Sequence, residues 1–79
     1  MKVPFEELSV QCQRVLQWLG IYERIDPIHA MTELGIMRLA ARINDLEKAG
    51  YLFEHEPVES ENRFGEKVRF MSYKFKKVA

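Results

Sequence analysis

The fold is decided by Asp26-Pro-Ile-His-Ala-Met-Thr-Glu-Leu-Gly-Ile-Met-Arg-Leu-Ala-Ala-Arg-Ile-Asn-Asp-Leu-Glu-Lys-Ala-Gly50, which predicts two short helices joined by a tight turn. Asp26 is suited to cap the first helix, because its carboxylate can accept hydrogen bonds from free N–H groups of the first turn. Pro27 fits the first helical position, where no N–H is needed. Gly35 breaks the helical pattern, since glycine enters left-handed backbone space without steric cost. Gly50 is expected to close the second helix in the same way.

The second helix is expected to begin at the first apolar residue after the turn and to bury one face. Its apolar residues recur at helical spacing and are Ile36, Leu39, Ala40, Ile43 and Leu46. The first helix of the pair carries Ile28, Met31 and Leu34 at similar spacing.

The opposite face of the second helix carries the residues that bear on function. They are Arg38, Ala41, Arg42, Asn44, Asp45 and Lys48. Arginine can make paired hydrogen bonds to guanine and asparagine to adenine, so this face suits a DNA major groove. A simple solvated surface is the competing interpretation, because charged outer faces are the default for helices.

Composition bounds the function. The 79 residues make one small domain, 47% hydrophobic and 30% charged, with a net charge of zero. Residues 1–62 carry six Lys and Arg against eleven Asp and Glu, whereas residues 63–79 carry six against one. The neutral total therefore hides a basic C-terminal segment. One cysteine, no signal peptide and no apolar run of membrane-spanning length predict a soluble cytoplasmic protein without membrane contact.

The remaining chain predicts one helix before the pair and two strands after it. Ser9 is a suitable N-cap for the early helix, and Ile25 is expected to be briefly extended. Gly20 is a candidate stop for this helix, with a slight extension through Ile21 and Tyr22 as the alternative. Alternation predicts a strand at Tyr51–Glu56, with Pro57 at an edge or strand end, and a second strand at Lys67–Phe75.

The polar segment Glu59–Lys67 is expected to form a long hairpin loop. Four of its residues and neighbours could approach phosphates or a minor groove, namely Asn62, Arg63, Lys67 and Arg69. Phe64 either projects from this loop, where it could wedge against a base step, or folds back onto the core. Glutamates at 59, 61 and 66 would oppose close phosphate contact.

Three helices followed by a two-stranded β-hairpin form the α+β layout of a winged helix-turn-helix domain, with the hairpin as the wing. We expect a lead-in at residues 1–8, this domain at 9–75 and a tail at 76–79. Isolated glycines and scattered Cys and His residues predict no catalytic or metal site, no cofactor and no small-molecule substrate, so the protein is not expected to be an enzyme.

Four segments resemble small helix-turn-helix proteins encoded by phages and prophages. They are Gln11–Leu16, Asp26–Met31, Leu34–Ile43 with Asp45-Leu46 after it, and Asn62–Glu66. The resemblance implies a winged-helix fold and DNA binding, with Arg38 and Arg42 on the reading helix and residues 62–65 in the wing.

The leading hypothesis is a double-stranded DNA-binding protein that acts in phage transcription regulation or site-specific recombination. An alternative is an adaptor or an inhibitor of a host factor with a protein partner, motivated by the zero net charge and the acidic residues 54–61. A homodimer is compatible with the first hypothesis, because many such motifs use two half-sites, although no heptad repeat supports it.

Overall fold

The computed structural model describes residues 2–76, in which three helices precede an antiparallel hairpin. The elements are α1 (Val10–Ile21), α2 (Pro27–Leu34), α3 (Leu39–Lys48), β1 (Phe53–Glu61) and β2 (Lys67–Phe75), with a 3-10 turn at Phe5–Glu7. This is the α+β winged helix-turn-helix arrangement that the order of elements predicts, and the prediction is confirmed.

The helix boundaries follow local capping chemistry. Ser9 accepts from the N–H of Cys12 at 3.2 Å, and Asp26 accepts from the N–H of His29 at 2.9 Å. Both predicted N-caps are therefore confirmed. Gly20, the candidate stop, lies inside α1, and the alternative in which the helix extends slightly beyond it is confirmed, since α1 ends at Ile21 where Tyr22 turns to extended backbone. Glycine is tolerated within a helix at a modest cost, so it did not end this one.

The turn between α2 and α3 is longer than predicted. Gly35 adopts left-handed backbone with φ of 69°, as expected, and the N–H of Ile36 then bonds back to the carbonyl of Ala30 at 2.9 Å. Because this N–H closes the end of α2, α3 cannot begin at Ile36 and begins at Leu39 instead. Ile36 is nevertheless fully buried, so the turn itself supplies a core side chain.

Two apolar assignments are also corrected. Ala40 is exposed, because the buried stripe of α3 consists of Leu39, Ile43 and Leu46. In α2 the buried residue is Ala30, whereas Ile28 and Met31 are exposed. The fully buried larger side chains that centre the core come from α1, the two connectors and α3, and are Val15, Ile25, Ile36, Ile43 and Leu46.

The first strand of the hairpin was misplaced by the sequence pattern. β1 begins at Phe53 rather than Tyr51 and continues through Pro57 to Glu61, which shortens the loop to residues 62–66. Backbone hydrogen bonds pair Asn62 with Glu66 and Lys76 with Leu52. Because hydrogen-bonded and non-hydrogen-bonded positions alternate along an antiparallel strand, the backbone nitrogen of Pro57 faces away from β2, toward the open edge. A proline there removes no bond, and the strand continues. The predicted bounds of β2 are confirmed.

A backbone bridge joins the hairpin to the connector before α2. Ile25, which was predicted to be extended, exchanges two hydrogen bonds of 2.9 Å with Tyr73 of β2. The lead-in also contacts the domain, since Val3 donates to the carbonyl of Ala49 at 2.8 Å and accepts from the Tyr51 hydroxyl at 2.9 Å. The division into lead-in, domain and tail stays a prediction, and residues 77–79 of the tail lie outside the described range.

Candidate nucleic-acid interface

The start of α3 combines a free cation with free backbone donors. Arg38 occupies the N-cap position, but its side chain makes no capping hydrogen bond. The first N–H groups of α3 therefore have no side-chain cap, and such groups at a helix start attract phosphate. The Arg38 side chain is exposed and forms no ion pair with any residue between 2 and 76.

From Arg38 a continuous row of residues runs along the outer side of α3. Spacings of three, four and three residues place Ala41, Asp45 and Lys48 beneath Arg38, with Asn44 beside them. Asn44 and Lys48 are exposed, and neither side chain makes a hydrogen bond or ion pair within the described chain. Ala41 is half-buried, so the middle of the row is flat and free of long side chains.

Arg42 is partly engaged within the fold, unlike Arg38, and its contact with DNA stays a prediction. Position 42 directly precedes the buried Ile43, which turns its side chain toward α1, where Nη1 donates to Oε1 of Gln11 at 3.3 Å. Nε is shielded from solvent and lies 3.2 Å from Oδ2 of Asp45. Only 30% of the side chain is exposed. Arg42 thus connects α3 to α1, and Asp45 of the outer row holds the Arg42 side chain through an ion pair on α3.

The wing loop is organised by Asn62, which sequence reasoning assigned only to DNA contact. Its Oδ1 accepts from the N–H groups of Phe64 and Glu66, at 2.9 and 3.1 Å. Its Nδ2 donates to Oε1 of Glu66 at 3.1 Å. An asparagine three residues before a glycine is a turn signal that could have indicated this role. The structure places Asn62 as a loop-building residue.

The wing cations divide into free and paired ones. Arg63 and Lys67 are exposed and make no ion pair in the part of the chain that the structure describes, although Lys67 lies opposite Glu61 in the strand register. Arg69 instead places Nε and Nη2 at 2.8 and 2.7 Å from Oε1 of Glu59, its cross-strand partner. The wing cations that form no ion pair therefore lie at the loop, beside Glu61 and Glu66, whose carboxylates also form no ion pair within the described chain.

Phe64 occupies the tip of the wing loop and is 79% exposed. The alternative in which this ring folds back onto the core is wrong. The strand register places the loop at the opposite end of the hairpin from the buried Phe53, so the ring lies far from the core.

One contact sets the position of the wing against α3. Nε2 of His55 on β1 lies 3.0 Å from Oε2 of Glu47 on α3, and the His55 ring meets the ring of Tyr73 edge-on at 5.0 Å. Burial, and secondarily the nearby Glu47 carboxylate, raise the pKa of the Tyr73 hydroxyl. Because Tyr73 also bridges to Ile25, α3, the wing and the connector meet at this point. The sequence pattern gave no signal of it.

Three acidic side chains of the hairpin form ion pairs, namely Glu54, Glu56 and Glu59. Lys74 lies 3.4 Å from Glu54 and 3.1 Å from Glu56, and Arg24 pairs with Glu56 as well. A hydrogen bond from Lys74, followed by one from Arg24, holds the pKa of Glu56 below its ordinary value despite some desolvation. On α3 and the wing loop, the unpaired cations among residues 2–76 are Arg38, Lys48, Arg63 and Lys67.

Other kinds of site receive no support from the described residues. Within the range 2–76, no three His, Cys, Asp or Glu side chains come together as metal ligands would. Over the same range, every helix is too short or too polar to cross a membrane.

Comparison with known proteins agrees with this geometry. A family model for the winged helix-turn-helix domain matches residues 10–77, from the start of α1 past the end of β2. No curated protein and no solved structure shows significant similarity to the chain.

Proposed function

The chain belongs to the winged helix-turn-helix family, and from this membership we propose that it binds double-stranded DNA. The observation that carries the proposal is the placement of unpaired cations. Within residues 2–76, Arg38 and Lys48 on α3 and Arg63 and Lys67 on the wing form no ion pair. Three hairpin glutamates, at 54, 56 and 59, pair with basic side chains of the fold, while those at 61 and 66 do not. Phosphate contacts need such cations on the elements that face the duplex.

In the proposed complex the outer row of α3 lies in the major groove. Arg38 contacts guanine or a flanking phosphate, and Asn44 contacts adenine. The small Ala41 lets the helix approach the base edges, and Lys48 reaches the backbone. The uncapped start of α3 adds N–H groups that can bind phosphate.

The wing contacts the neighbouring backbone in this proposal. Arg63 and Lys67 bind phosphates, and the contact between Glu47 and His55 fixes how far they stand from α3. The other four residues proposed for the interface act by support. Arg42 and Asp45 brace α3, Asn62 shapes the loop, and Arg69 is balanced by Glu59.

We propose that this activity serves transcription regulation or site-specific recombination, on the ground of the helix-turn-helix pattern and the basic C-terminal segment; the resemblance to phage and prophage proteins itself implies only the fold and DNA binding. A homodimer on two half-sites would double the few contacts that one small domain makes. Cytoplasmic location stays a prediction.

Selection from random duplexes at low salt tests the proposal. The wild-type protein is expected to enrich a sequence motif, whereas the Arg38→Ala/Asn44→Ala double variant loses the motif and keeps weak general binding. Lys76→Ala, which removes a cation at the end of the hairpin far from the loop, is the control and keeps the motif. No enrichment by the wild type, together with no binding to bulk DNA, overturns the proposal.

The adaptor or inhibitor alternative keeps the zero net charge and the unpaired Glu61 as its motivation, while the other three acids of the stretch 54–61 are engaged within the fold. The acids at 54, 56 and 59 that suggested an acidic docking surface pair with cations of the same fold. A stoichiometric protein partner recovered from nuclease-treated host lysate, by a protein that binds no duplex, would restore this alternative.

A further inference from the structure

The wing loop presents an aromatic ring that the fold does not use. Phe53 is buried in the core and Phe75 stacks on it at 5.5 Å, but Phe64 is 79% exposed and has no aromatic partner among the described residues. A large apolar side chain alone at a surface tip gains nothing from burial within its own chain. Ile21 and Met37 are exposed to nearly the same degree, so Phe64 is set apart by its ordered loop and its charged neighbours rather than by exposure alone.

The loop holds this residue in a defined place. The side chain of Asn62 fixes the N–H groups of Phe64 and Glu66, as described above. Two backbone bonds of 3.0 Å, from Gly65 to Asn62 and from Asn62 to Glu66, close the five-residue turn. Gly65 has φ of 74°, which only glycine adopts freely. A loop fixed in this way loses little conformational entropy when it binds.

The charges around the ring indicate what it meets. Arg63 precedes it and Lys67 follows the turn, and both are free of ion pairs within residues 2–76. The Glu66 carboxylate is turned into the loop by its bond to Asn62 Nδ2. An apolar ring between two free cations matches a base step between two phosphate strands, where apolar side chains act as wedges.

We propose that Phe64 inserts between adjacent base pairs in the minor groove, unstacks them and bends the duplex that α3 reads. This inference rests on the proposed function, since it requires that the wing lie on DNA. It assigns the wing an architectural role in addition to phosphate contact. Arg63 and Lys67 would hold the backbones on either side of the opened step.

The test uses the duplex enriched by the wild-type protein, with 2-aminopurine placed at successive positions under the wing. Binding of the wild type is expected to raise 2-aminopurine fluorescence at one step and to shorten the end-to-end distance measured by energy transfer. Phe64→Ala is expected to bind on the order of tenfold more weakly and, at saturation, to show neither change. Phe64→Leu keeps an apolar side chain at this position and is expected to retain part of the fluorescence rise and part of the shortening.

Two controls separate the wedge from other effects. Arg63→Ala weakens binding but still unstacks the step when the duplex is saturated. Phe64→Ala keeps the wild-type melting temperature, because the ring has no partner in its own fold. Insertion of Phe64 is contradicted, while DNA binding is not, by either of two results. The first is binding of the wild type without a fluorescence change at any step, and the second is equal bending of the duplex by Phe64→Ala. Absence of all duplex binding overturns both, and binding of the wing to a protein pocket would then account for the ring.

Discussion

Individual side chains in this domain either build the fold or remain available to a partner. Arg42 and Arg38 lie one turn apart, yet the first bonds to Gln11 of α1 while the second is free within the described chain. Asn62 and Arg63 are adjacent, yet Asn62 uses three hydrogen bonds inside the loop. Residue type alone does not separate the two groups, because the tertiary fold supplies the partner of each side chain that bonds within the domain.

Arg38→Ala is predicted to weaken binding to the selected duplex by about 1–3 kcal/mol, because a bidentate contact to guanine is lost. Lys76→Ala removes the same charge without lying on α3 or the loop and is predicted to change affinity only slightly. Fluorescence anisotropy at fixed salt measures both. Equal losses for the two variants would mean that Arg38 contributes only general charge.

Asp26 makes the stability of α2 dependent on pH. Partial burial raises the pKa of its carboxyl, but hydrogen bonds from the His29 backbone and ring, together with the ring's charge, outweigh this and lower the pKa overall. Because the pKa is lower in the folded state, the stabilisation is complete above the unfolded-state pKa. It is lost as the pH falls through the folded-state pKa.

The prediction is that Asp26→Ala lowers the free energy of unfolding by about 1 kcal/mol at neutral pH, through loss of the cap. Asp26→Asn keeps a capping oxygen that does not titrate, so its stability is predicted to fall less than that of the wild type as the pH drops through the ordinary carboxyl range and below it. Urea unfolding followed by circular dichroism measures the difference. Parallel acid curves for the wild type and Asp26→Asn would show that another carboxyl controls the transition.

At the scale of elements, the turn between α2 and α3 determines how the outer row of α3 is oriented. Gly35 in left-handed backbone and the bond from Ile36 to Ala30 end α2, and the buried Ile36 side chain anchors the turn to the core. α3 then starts with Arg38 at its outer edge. A change in this turn therefore alters both stability and the presentation of the row.

Gly35→Ala is predicted to destabilise the domain by about 1–2 kcal/mol, because a Cβ is unfavourable in left-handed backbone even though no atom crowds it. Gly20→Ala is the matched control, since Gly20 lies in α1 with equally open space and without that backbone strain. It is predicted to stabilise by about 0.5–1 kcal/mol. Thermal or urea unfolding gives both values. The same sign for both variants would contradict the assignment of the turn.

Local chemistry explains which elements could be predicted from the sequence. The caps at Ser9 and Asp26 and the turn at Gly35 depend on neighbouring residues, and all three were predictable. The later start of α3 depends on a backbone bond to Ala30, and the length of β1 depends on which edge Pro57 faces. The hydrophobic periodicity of the sequence indicates neither the start of α3 nor the length of β1.

The candidate site was predictable in composition but not in arrangement. The sequence identified the cations of α3 and the wing, since a charged helix face and a basic hairpin loop are visible in the pattern. The engagement of Arg42 with Gln11 joins residues 31 positions apart, and the pairing of Arg69 with Glu59 depends on strand register. Such contacts arise from packing and register, so the sequence alone overstated the number of free cations.

At the scale of the whole molecule, zero net charge coexists with local free charge. Ion pairs neutralise the base of the hairpin, and the four free cations of α3 and the wing loop lie on the elements that would face DNA. Under the proposed function, a neutral chain with such a distribution would make few phosphate contacts with DNA, so its affinity at physiological salt would be modest for one copy.

The logarithm of the binding constant is predicted to fall with the logarithm of salt concentration with a slope of about −3 to −4 for one bound copy. Arg63→Ala/Lys67→Ala is predicted to make this slope shallower by roughly 2, because each wing cation releases one counterion. Anisotropy titrations over a range of salt concentrations measure it. A wild-type slope near zero would contradict phosphate binding, whereas about twice the predicted slope would indicate two copies on the duplex.

The most direct measurement is an amide NMR titration of the isotope-labelled protein with duplex DNA at low salt. We predict that the largest shift changes map to residues 38–48 and 62–67, with little change in the first turns of α1 or at the open edge near Pro57. No shift change at saturating duplex, or changes confined to surfaces away from α3 and the wing loop, would contradict the proposal that these two elements form the DNA interface.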